Sequence, residues 1–295
     1  MGNYIEREKR SAKKLMKDLR LLEIELFSYC NRKCKWCPNK EIDRTFYEEL
    51  NIDIFEDLIQ ELKENGYKGV ITFSRYNEPL SHIKVFKERL NYIREHLDNK
   101  LVTNTNGDFL TNENLDGLNI DELSVMDYEG RGVEWCCKRL EDLNCEIYKI
   151  DGDYIYANRG DMKIMYCANW QENRFITDRG GFLEEYSNEV RTFGCNEPKY
   201  FVGINYDGTV SPCCNIRNDI EKHQNWILGN LHNQSFTEIL ESEKRQTMIS
   251  DIAAGKWDNK SPCYTCLNMG GRYTHDNGSI EYKKEDRHIR SGENE

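Results

Sequence analysis

The twelve cysteines of this 295-residue chain constrain it more than any other feature of its sequence. Three of them, Cys30, Cys34 and Cys37, stand close together with the spacing C-x3-C-x2-C. A tight loop with three thiolates can ligate three irons of a [4Fe–4S] cube and leave the fourth iron open to a small ligand. A structural zinc site needs four closed ligands, so zinc would have to recruit a fourth ligand from a distant segment.

The charge and hydropathy of the chain limit its compartment and its partners. A formal net charge of −11 leaves no overall basic field for a phosphate backbone or an anionic membrane surface. The N-terminal segment is charged, and no apolar run is long enough to span a membrane. Cysteines in an intracellular chain of this size serve metal or redox chemistry more often than disulfides. The sequence therefore predicts a cytoplasmic protein that binds neither nucleic acid nor membranes.

The order of predicted elements favours an α/β fold. Buried strand patterns alternate with amphipathic helical patterns, as is typical of parallel βα units. We predict a partial (β/α)6 TIM-like barrel, with a small C-terminal Fe–S domain, whose strands cover residues 22–27, 69–73, 100–105, 122–126, 145–150 and 162–166. In such sheets the chemistry lies at the carboxyl ends of the strands.

Changes in composition divide the chain into four predicted parts. These are an N-terminal amphipathic helix at 1–20, the barrel core at 21–185, a smaller domain rich in Pro, Gly, Asn and Cys at 186–276, and a charged, disordered tail at 277–295. Helices are also predicted at 52–64, 85–97 and 236–248, and a hairpin turn is predicted at 206–209.

The cysteine loop resembles the signature of the radical S-adenosylmethionine (SAM) superfamily. Trp36 is the aromatic residue that the signature places just before the last cysteine. Asn77, Glu78 and Pro79 follow the second strand, where the family carries a Gly-Gly-Glu-Pro-like motif, and Glu78 can accept hydrogen bonds from the SAM ammonium. Tyr76 and Asn77 replace the two glycines, so this loop approaches SAM differently. The resemblance implies that the cluster reductively cleaves SAM to a 5′-deoxyadenosyl radical, which abstracts a substrate hydrogen atom.

Two further strand ends resemble SAM-contacting segments of the family. Thr105 and Asn106 belong to the run Thr-Asn-Thr-Asn-Gly after the third strand, which is similar to a family Thr-Asn-Gly segment. Ser124 lies on the fourth strand, where family members contact the SAM carboxylate or ribose. Each of these polar residues would serve equally well as a loop or cap residue.

A second cysteine set lies in the C-terminal region. Cys195, Cys213, Cys263 and Cys266 supply four thiolates from three separated segments, which suits either zinc or a closed iron–sulfur cluster. Their order and spacing resemble the Twitch module, a shortened SPASM domain that holds one auxiliary [4Fe–4S] cluster. No cysteine follows Cys266. The resemblance therefore implies two [4Fe–4S] clusters in all, one that binds SAM and one auxiliary.

Two more residues are candidate catalytic groups. Cys214 stands beside a predicted ligand, so it is a hydrogen-atom donor to a substrate radical, a replacement ligand or an inert neighbour. Arg179 lies in a glycine-rich turn of the connection to the second domain, where dehydrogenases of this type place an arginine near substrate; a surface arginine in a linker is the alternative. The four other cysteines lack ligand spacing and are predicted to be structural: Cys136, Cys137, Cys145 and Cys167.

Three functions remain open at this point. The resemblance to Twitch-containing aminocyclitol dehydrogenases favours oxidation or epimerisation of a hydroxyl- or amine-bearing small molecule, such as a sugar or aminocyclitol. Radical modification of a ribosomally made peptide is the alternative, although the short segment before the first strand predicts no leader-binding domain in cis. A non-catalytic electron carrier is the third, and Glu78 and the open iron argue against it. Either enzyme would need an external electron donor such as flavodoxin or ferredoxin.

Overall fold

The computed structural model describes residues 12–170, 177–187 and 189–267 and two short strands beyond them. The strands are β1 (Leu21–Ile24), β2 (Val70–Thr72), β3 (Leu101–Thr105), β4 (Glu122–Met126), β5 (Glu146–Asp151), β6 (Tyr154–Arg159), β7 (Met162–Cys167), β8 (Phe201–Ile204), β9 (Thr209–Ser211), β10 (Gly229–Asn230), β11 (Tyr273–Thr274) and β12 (Ile280–Glu281). The helices are α1 (residues 12–18), α2 (Ile52–Glu64), α3 (Ile83–His96), α4 (Asn112–Leu115), α5 (Val133–Asp142), α6 (Glu197–Tyr200), α7 (Phe236–Glu241) and α8 (Glu243–Ala253).

Ten of the strands form one mixed sheet in the order β10-β9-β8-β1-β2-β3-β4-β7-β6-β5. The six central strands, from β8 to β7, run parallel. Antiparallel strands extend the sheet at both edges. The predicted α/β class with six parallel strands is confirmed.

One of the six predicted parallel strands, the fifth, is wrong, and an unpredicted strand takes its place in the parallel set. The segment predicted as the fifth strand forms β5, which pairs only antiparallel with β6 at the sheet edge, and β7 takes the place beside β4. Tight turns at Gly152 and Gly160, both with φ of 58°, leave no room for the crossover that parallel pairing requires. The sixth parallel strand is β8, which comes from the predicted second domain and pairs with β1. The sheet therefore runs through both predicted domains.

Helix α2 has the predicted bounds. The Asn51 side chain accepts hydrogen bonds from the backbone N–H groups of Asp53 and Ile54, which caps the first turn. The helix buries a stripe at helical spacing, formed by Phe55, Leu58, Ile59 and Leu62. The helix predicted at 85–97 begins two residues earlier, at Ile83.

The helix predicted at 236–248 is two helices. Ser242 has an extended backbone, with ψ of 142°, and separates α7 from α8. Its hydroxyl accepts a hydrogen bond from the backbone N–H of Arg245 and so caps α8. Apolar spacing alone does not reveal the break, because both helices turn apolar residues inward.

The chain ends are described in part. Residues 12–18 are helical, and 1–11 lie outside the described residues. In the predicted disordered tail, Ile280–Glu281 is a strand that pairs antiparallel with Tyr273–Thr274, and the remaining tail residues lie outside the description. Among the described residues, no helix is long and apolar enough to cross a membrane.

The two faces of the parallel strands pack differently. Alternate residues such as Leu22, Ile71 and Val202 belong to the main core with the helices. Their neighbours Leu21, Val70 and Phe201 form a small apolar cluster on the opposite face, and partly buried side chains pack against it: Val102, Cys213 and Cys214. Part of the second cysteine set thus lies against the inner face of the core strands.

Candidate active site

The Glu78 carboxylate is the centre of the predicted SAM site. The side chain is nearly fully buried, with 2% exposed. It accepts hydrogen bonds from the Thr105 hydroxyl at 2.6 Å, the Asn106 N–H at 2.8 Å and the Leu80 N–H at 3.1 Å. Pro79 starts the 3-10 turn that presents the Leu80 N–H, since its missing N–H is no loss at that position. The structure therefore brings together the residues predicted after β2 and β3.

The neighbourhood of Glu78 suits the amino-acid end of SAM. Burial raises the pKa of Glu78 to about 7, although hydrogen bonds from Asn106, Thr105 and Leu80 oppose burial. Its two oxygens offer about four acceptor sites, and the bonds above use three of them. The adjacent Asn77 Nδ2 is buried and has no acceptor among the described residues. The unused acceptor site of Glu78 suits the ammonium group of SAM, and the unused N–H donor of Asn77 suits its carboxylate.

The three cysteines of the loop are partly buried free thiols. Burial, together with the charges of the neighbouring thiols, raises the pKa of Cys30 to about 12 and that of Cys34 to about 11. Glu78 and Cys37 both contribute to the shift at Cys30. The loop therefore gathers its thiols beside the Glu78 site. These residues fit the open cluster, which binds them as thiolates and releases their protons.

Side chains that follow β3 and β4 hold the cysteine loop in place. Arg32 donates to the Asp108 carboxylate at 2.6 Å and to the Glu129 carboxylate at 2.8 Å. Asn31 donates to Asp108 at 2.7 Å and accepts from Asn106 Nδ2 at 2.9 Å. The polar residues that follow three neighbouring strands therefore form one connected network.

Trp36 is part of an aromatic cluster. Its ring centroid lies 5.2 Å from that of Tyr128 and 4.8 Å from that of Trp170, and the two partners lie 4.9 Å apart. Burial raises the pKa of Tyr128, and the nearby thiols of Cys34 and Cys37 add to the shift. No sequence motif pointed to Tyr128 or Trp170. Only their position could have predicted a role at the site, since Tyr128 follows the carboxyl end of β4 and Trp170 that of β7.

The structure does not join Ser124 to this network. It lies within β4, two residues before the strand ends, and alternates with the core residues Leu123 and Val125. In the described part of the chain, no hydrogen bond links its hydroxyl to Glu78 or to the cysteine loop. Its contact with SAM stays a prediction.

The second cysteine set lines one small, mainly apolar cavity: Cys195, Cys213, Cys263 and Cys266. Backbone and side-chain N–H groups point at two of the sulfurs, from Glu197 N to Cys195 Sγ and from Asn215 Nδ2 to Cys266 Sγ, both at 3.4 Å. Burial raises the pKa of Cys263 to about 12 and raises that of Cys213 as well. Four thiols with N–H···S donors around an apolar cavity fit a closed iron–sulfur cluster.

The cysteine sets are not arranged around a single ion. Within the described residues, no three Cys, His, Asp or Glu side chains are close enough to share one metal ion. The cysteines of a single-ion site must all reach one metal ion. Those of a cubane cluster each bind a different iron and can therefore lie farther apart.

Arg179 lies between the two cysteine sets. Its Nε donates to the Trp36 carbonyl at 3.4 Å. Burial by itself would lower the pKa of Arg179, but Tyr76, Cys37 and Cys214 outweigh burial and raise it. The guanidinium therefore stays charged and lies near Cys37 of the loop and near Cys214, which adjoins Cys213 of the second set. Its contact with substrate stays a prediction.

Cys214 is half-buried and close to the same groups. Its thiol lies near Arg179 and Tyr76, and its carbonyl accepts a 2.7 Å hydrogen bond from the Tyr76 hydroxyl. It also packs against the small apolar cluster of the inner face. The four remaining cysteines are free thiols in the core or half-buried against it: Cys136, Cys137, Cys145 and Cys167.

Family comparisons match both halves of this arrangement. The model described as the radical SAM superfamily matches residues 24–123, which contain the cysteine loop, Glu78 and the residues after β3. The chain belongs to the radical SAM superfamily. A second model, the SPASM iron–sulfur cluster-binding domain, matches residues 195–267 and so spans all four auxiliary cysteines. The predicted cofactors of this radical SAM protein, SAM with a core and an auxiliary iron–sulfur cluster, are confirmed.

Known relatives agree with the assignment of this radical SAM protein. It is 24% identical over 257 residues to the S-adenosyl-L-methionine-dependent 2-deoxy-scyllo-inosamine dehydrogenase of Niallia circulans, over 84% of this chain and 93% of that protein. The crystal structure of BtrN in complex with AdoMet and 2-DOIA superimposes with a TM-score of 0.68 at 22% identity, over 89% of this chain and 98% of that one. BtrN in an open conformation gives a TM-score of 0.57 at 20% identity, over 85% and 92% of the two chains. These structures share the fold.

Proposed function

We propose that this protein is a radical SAM oxidoreductase that oxidises a hydroxyl- or amine-bearing small molecule of the aminocyclitol class. The position of Arg179 carries the proposal, because this partly buried cation lies near Cys37 of the SAM-site loop and near Cys214, the neighbour of the auxiliary cysteine Cys213. The similarity to a dehydrogenase that acts on 2-deoxy-scyllo-inosamine supports the substrate class.

The residues around Glu78 would bind the amino-acid end of SAM. Glu78 would pair with the ammonium, and the free Asn77 Nδ2 would donate to the carboxylate. Thr105 and the Asn106 N–H hold the Glu78 carboxylate in place. When bound, SAM and the core cluster would supply a 5′-deoxyadenosyl radical that removes a hydrogen atom from substrate, and the auxiliary cluster would accept the unpaired electron of the substrate radical.

Arg179 would bind the substrate oxygen. Its raised pKa keeps the guanidinium protonated, so it acts as a cation and a hydrogen-bond donor and does not take up a proton. A fixed cation stabilises negative charge that develops on a hydroxyl oxygen as its proton leaves. The proton would pass to water or to another acceptor in the cavity.

The proposed reaction draws electrons from outside the chain. An external one-electron donor, such as flavodoxin or ferredoxin, would reduce the core cluster. The many free thiols suit a reducing compartment, so we place this chemistry in the cytoplasm.

Anaerobic turnover tests the proposal. Reconstituted protein is incubated with SAM, dithionite and 2-deoxy-scyllo-inosamine, and 5′-deoxyadenosine and oxidised product are measured by mass spectrometry. We expect both products in equal amounts, and neither from the Cys34→Ala variant. Absence of 5′-deoxyadenosine above that control would refute the enzyme assignment. Formation of 5′-deoxyadenosine without oxidised product would refute the substrate class.

The position of Cys214 favours epimerisation as a second candidate function. Its thiol lies near Arg179, the proposed substrate-binding residue, and near Tyr76. In epimerisation Cys214 would donate a hydrogen atom to the substrate radical, and the thiyl radical would take one electron from the external donor and one proton from water. In deuterated water, deuterium at an inverted carbon that disappears in Cys214→Ala would support epimerisation. An oxidised product without deuterium, unchanged in that variant, would remove it.

A further inference from the structure

The turn that carries Arg179 has an unusual backbone. Arg179, Gly180 and Gly181 have φ values of 51°, 67° and 74°, so three consecutive residues are left-handed. The left-handed region is unfavourable for a non-glycine residue, because its Cβ atom comes too close to the following carbonyl oxygen. Such a conformation persists only where surrounding contacts impose it. The contacts that impose it therefore decide where the Arg179 side chain points.

The auxiliary domain supplies those contacts. His223 Nε2 donates to the Gly180 carbonyl at 3.0 Å, and Lys222 Nζ donates to the Gly181 carbonyl. A Cβ atom on Gly180 would lie 2.9 Å from His223 Nε2 and 3.1 Å from Pro262. Gly180 is thus packed directly against the domain that holds the auxiliary cysteines.

The buried state of His223 defines its hydrogen bonds. The ring is fully buried, and its Nδ1 accepts from the Arg217 N–H at 3.2 Å. The single proton of the neutral ring therefore lies on Nε2 and faces the Gly180 carbonyl. Burial lowers the pKa of His223 to about 4, and the nearby Lys222 and Arg217 charges also disfavour protonation, although the bond to Gly180 opposes the shift.

The residue before Arg179 adds an anchor in the cysteine segment. Asp178 accepts hydrogen bonds from Thr265 at 2.5 Å and from Ser187 at 3.0 Å. Thr265 lies between the ligand candidates Cys263 and Cys266. The turn is therefore held to the auxiliary domain at Asp178, at Gly180 and at Gly181.

We infer that His223 is a positioning residue that holds Arg179 beside Cys37 and Cys214 through its bond to the Gly180 carbonyl. This inference rests on the proposed function, in which Arg179 binds substrate. It assigns the auxiliary domain a second task besides holding a cluster: it sets the geometry of the substrate-binding cation.

A matched pair of variants separates the two bonds of His223. His223→Gln keeps an N–H donor at the position of Nε2, and His223→Asn keeps an acceptor at the position of Nδ1 but loses the bond to Gly180. His232, an exposed histidine of the same domain, gives the control His232→Asn. Iron content is measured in each reconstituted variant so that cluster loss is recognised.

The first measurement needs no substrate. Limited trypsin digestion of the holoenzyme, read by mass spectrometry, follows cleavage at the Arg179–Gly180 bond. We expect His223→Asn to be cut there at least about tenfold faster than wild type, while His223→Gln and His232→Asn match wild type. Equal cleavage of the two His223 variants would overturn the inference.

The second measurement is turnover of 2-deoxy-scyllo-inosamine. A displaced positioning contact can cost up to about a hundredfold in rate, so we expect kcat/KM to fall about tenfold or more in His223→Asn and to be largely retained in His223→Gln. In an Arg179→Lys background, His223→Asn should add less than about twofold. Independent, additive losses would overturn the inference. If wild type gives no oxidised product, the proposed substrate class fails, and the trypsin comparison still decides the role of His223.

Discussion

The Tyr76 hydroxyl donates a 2.7 Å hydrogen bond to the carbonyl of Cys214 and so links the SAM-site loop to the auxiliary segment. The Tyr76 ring is buried, and the Arg217 guanidinium lies over it at 4.8 Å from the centroid. Family members often have glycine in this part of the motif, and the structure explains the difference here. The ring fills the space between the loop after β2 and the residues that follow Cys213.

Replacement of Tyr76 tests this link. Tyr76→Phe leaves the Cys214 carbonyl without its partner and should lower stability by about 1 kcal/mol. We expect both clusters to be retained and the yield of oxidised product per 5′-deoxyadenosine to fall, because the substrate-side backbone is less well held. The control is Tyr148→Phe, since Tyr148 is an exposed residue of the edge strand. An unchanged product ratio would show that the bond is only structural.

The Glu78 carboxylate should be essential for SAM binding. Glu78→Gln removes the negative charge and places an NH2 group near N–H donors such as that of Asn106. We expect SAM affinity to fall at least about tenfold, measured by equilibrium dialysis with reconstituted protein. Glu113→Gln, at an exposed site on α4, should bind like wild type. Wild-type affinity in Glu78→Gln would contradict the assigned role.

The two adjacent cysteines should behave differently. Cys213 lines the cavity of the auxiliary set, whereas Cys214 is not among the residues that line it. We expect Cys213→Ala to lose about half of the bound iron and sulfide and Cys214→Ala to keep all of it. Iron and sulfide assays with Mössbauer spectra measure this directly. Iron loss in Cys214→Ala alone would identify Cys214 as the ligand instead.

Gly203 should not tolerate a side chain. A Cβ atom on Gly203 would clash with Nη1 of Arg75, whose guanidinium donates to the Glu23 carboxylate at 3.0 Å and to the Ile216 carbonyl at 2.8 Å. Because Arg75 cannot move without breaking these bonds, Gly203→Ala should destabilise the protein by about 1–3 kcal/mol. Thermal unfolding measures the loss. Gly203 is not among the glycines with positive φ, so the loss would report the clash with Arg75 and not backbone strain. A Tm equal to that of wild type would contradict the clash.

Acid should weaken the protein through His223. Its pKa is lowered from 6.5 to about 4 on folding, so the unfolded chain binds this proton first as pH falls. The contribution of neutral His223 to the stability of the folded state is complete above about pH 6.5 and is lost as pH drops toward 4. Between pH 7.5 and 5.5 wild type should lose about 1 kcal/mol more than His223→Gln in urea unfolding. Parallel pH profiles for the two proteins would contradict this result.

Local sequence patterns determined much of the site. The spacing of Cys30, Cys34 and Cys37 and the polar residues after β2 and β3 predicted the SAM site, because parallel strands bring their carboxyl ends to one edge. The four auxiliary cysteines were recognisable because ligand spacing is local within each segment. The capped, amphipathic pattern of α2 gave its bounds for the same reason.

Only the tertiary structure decided how these segments meet. Strand β8 pairs with β1 across a long sequence separation, and no periodic pattern reports such a partner. The same long-range packing places His223 against Gly180 and Trp170 against Trp36. A single buried histidine or tryptophan has no distinctive spacing, so its role depends on contacts that form only when distant segments pack together. The sequence determined which groups can hold the cofactors, and the packing of the auxiliary domain on the core decided where Arg179 lies between them.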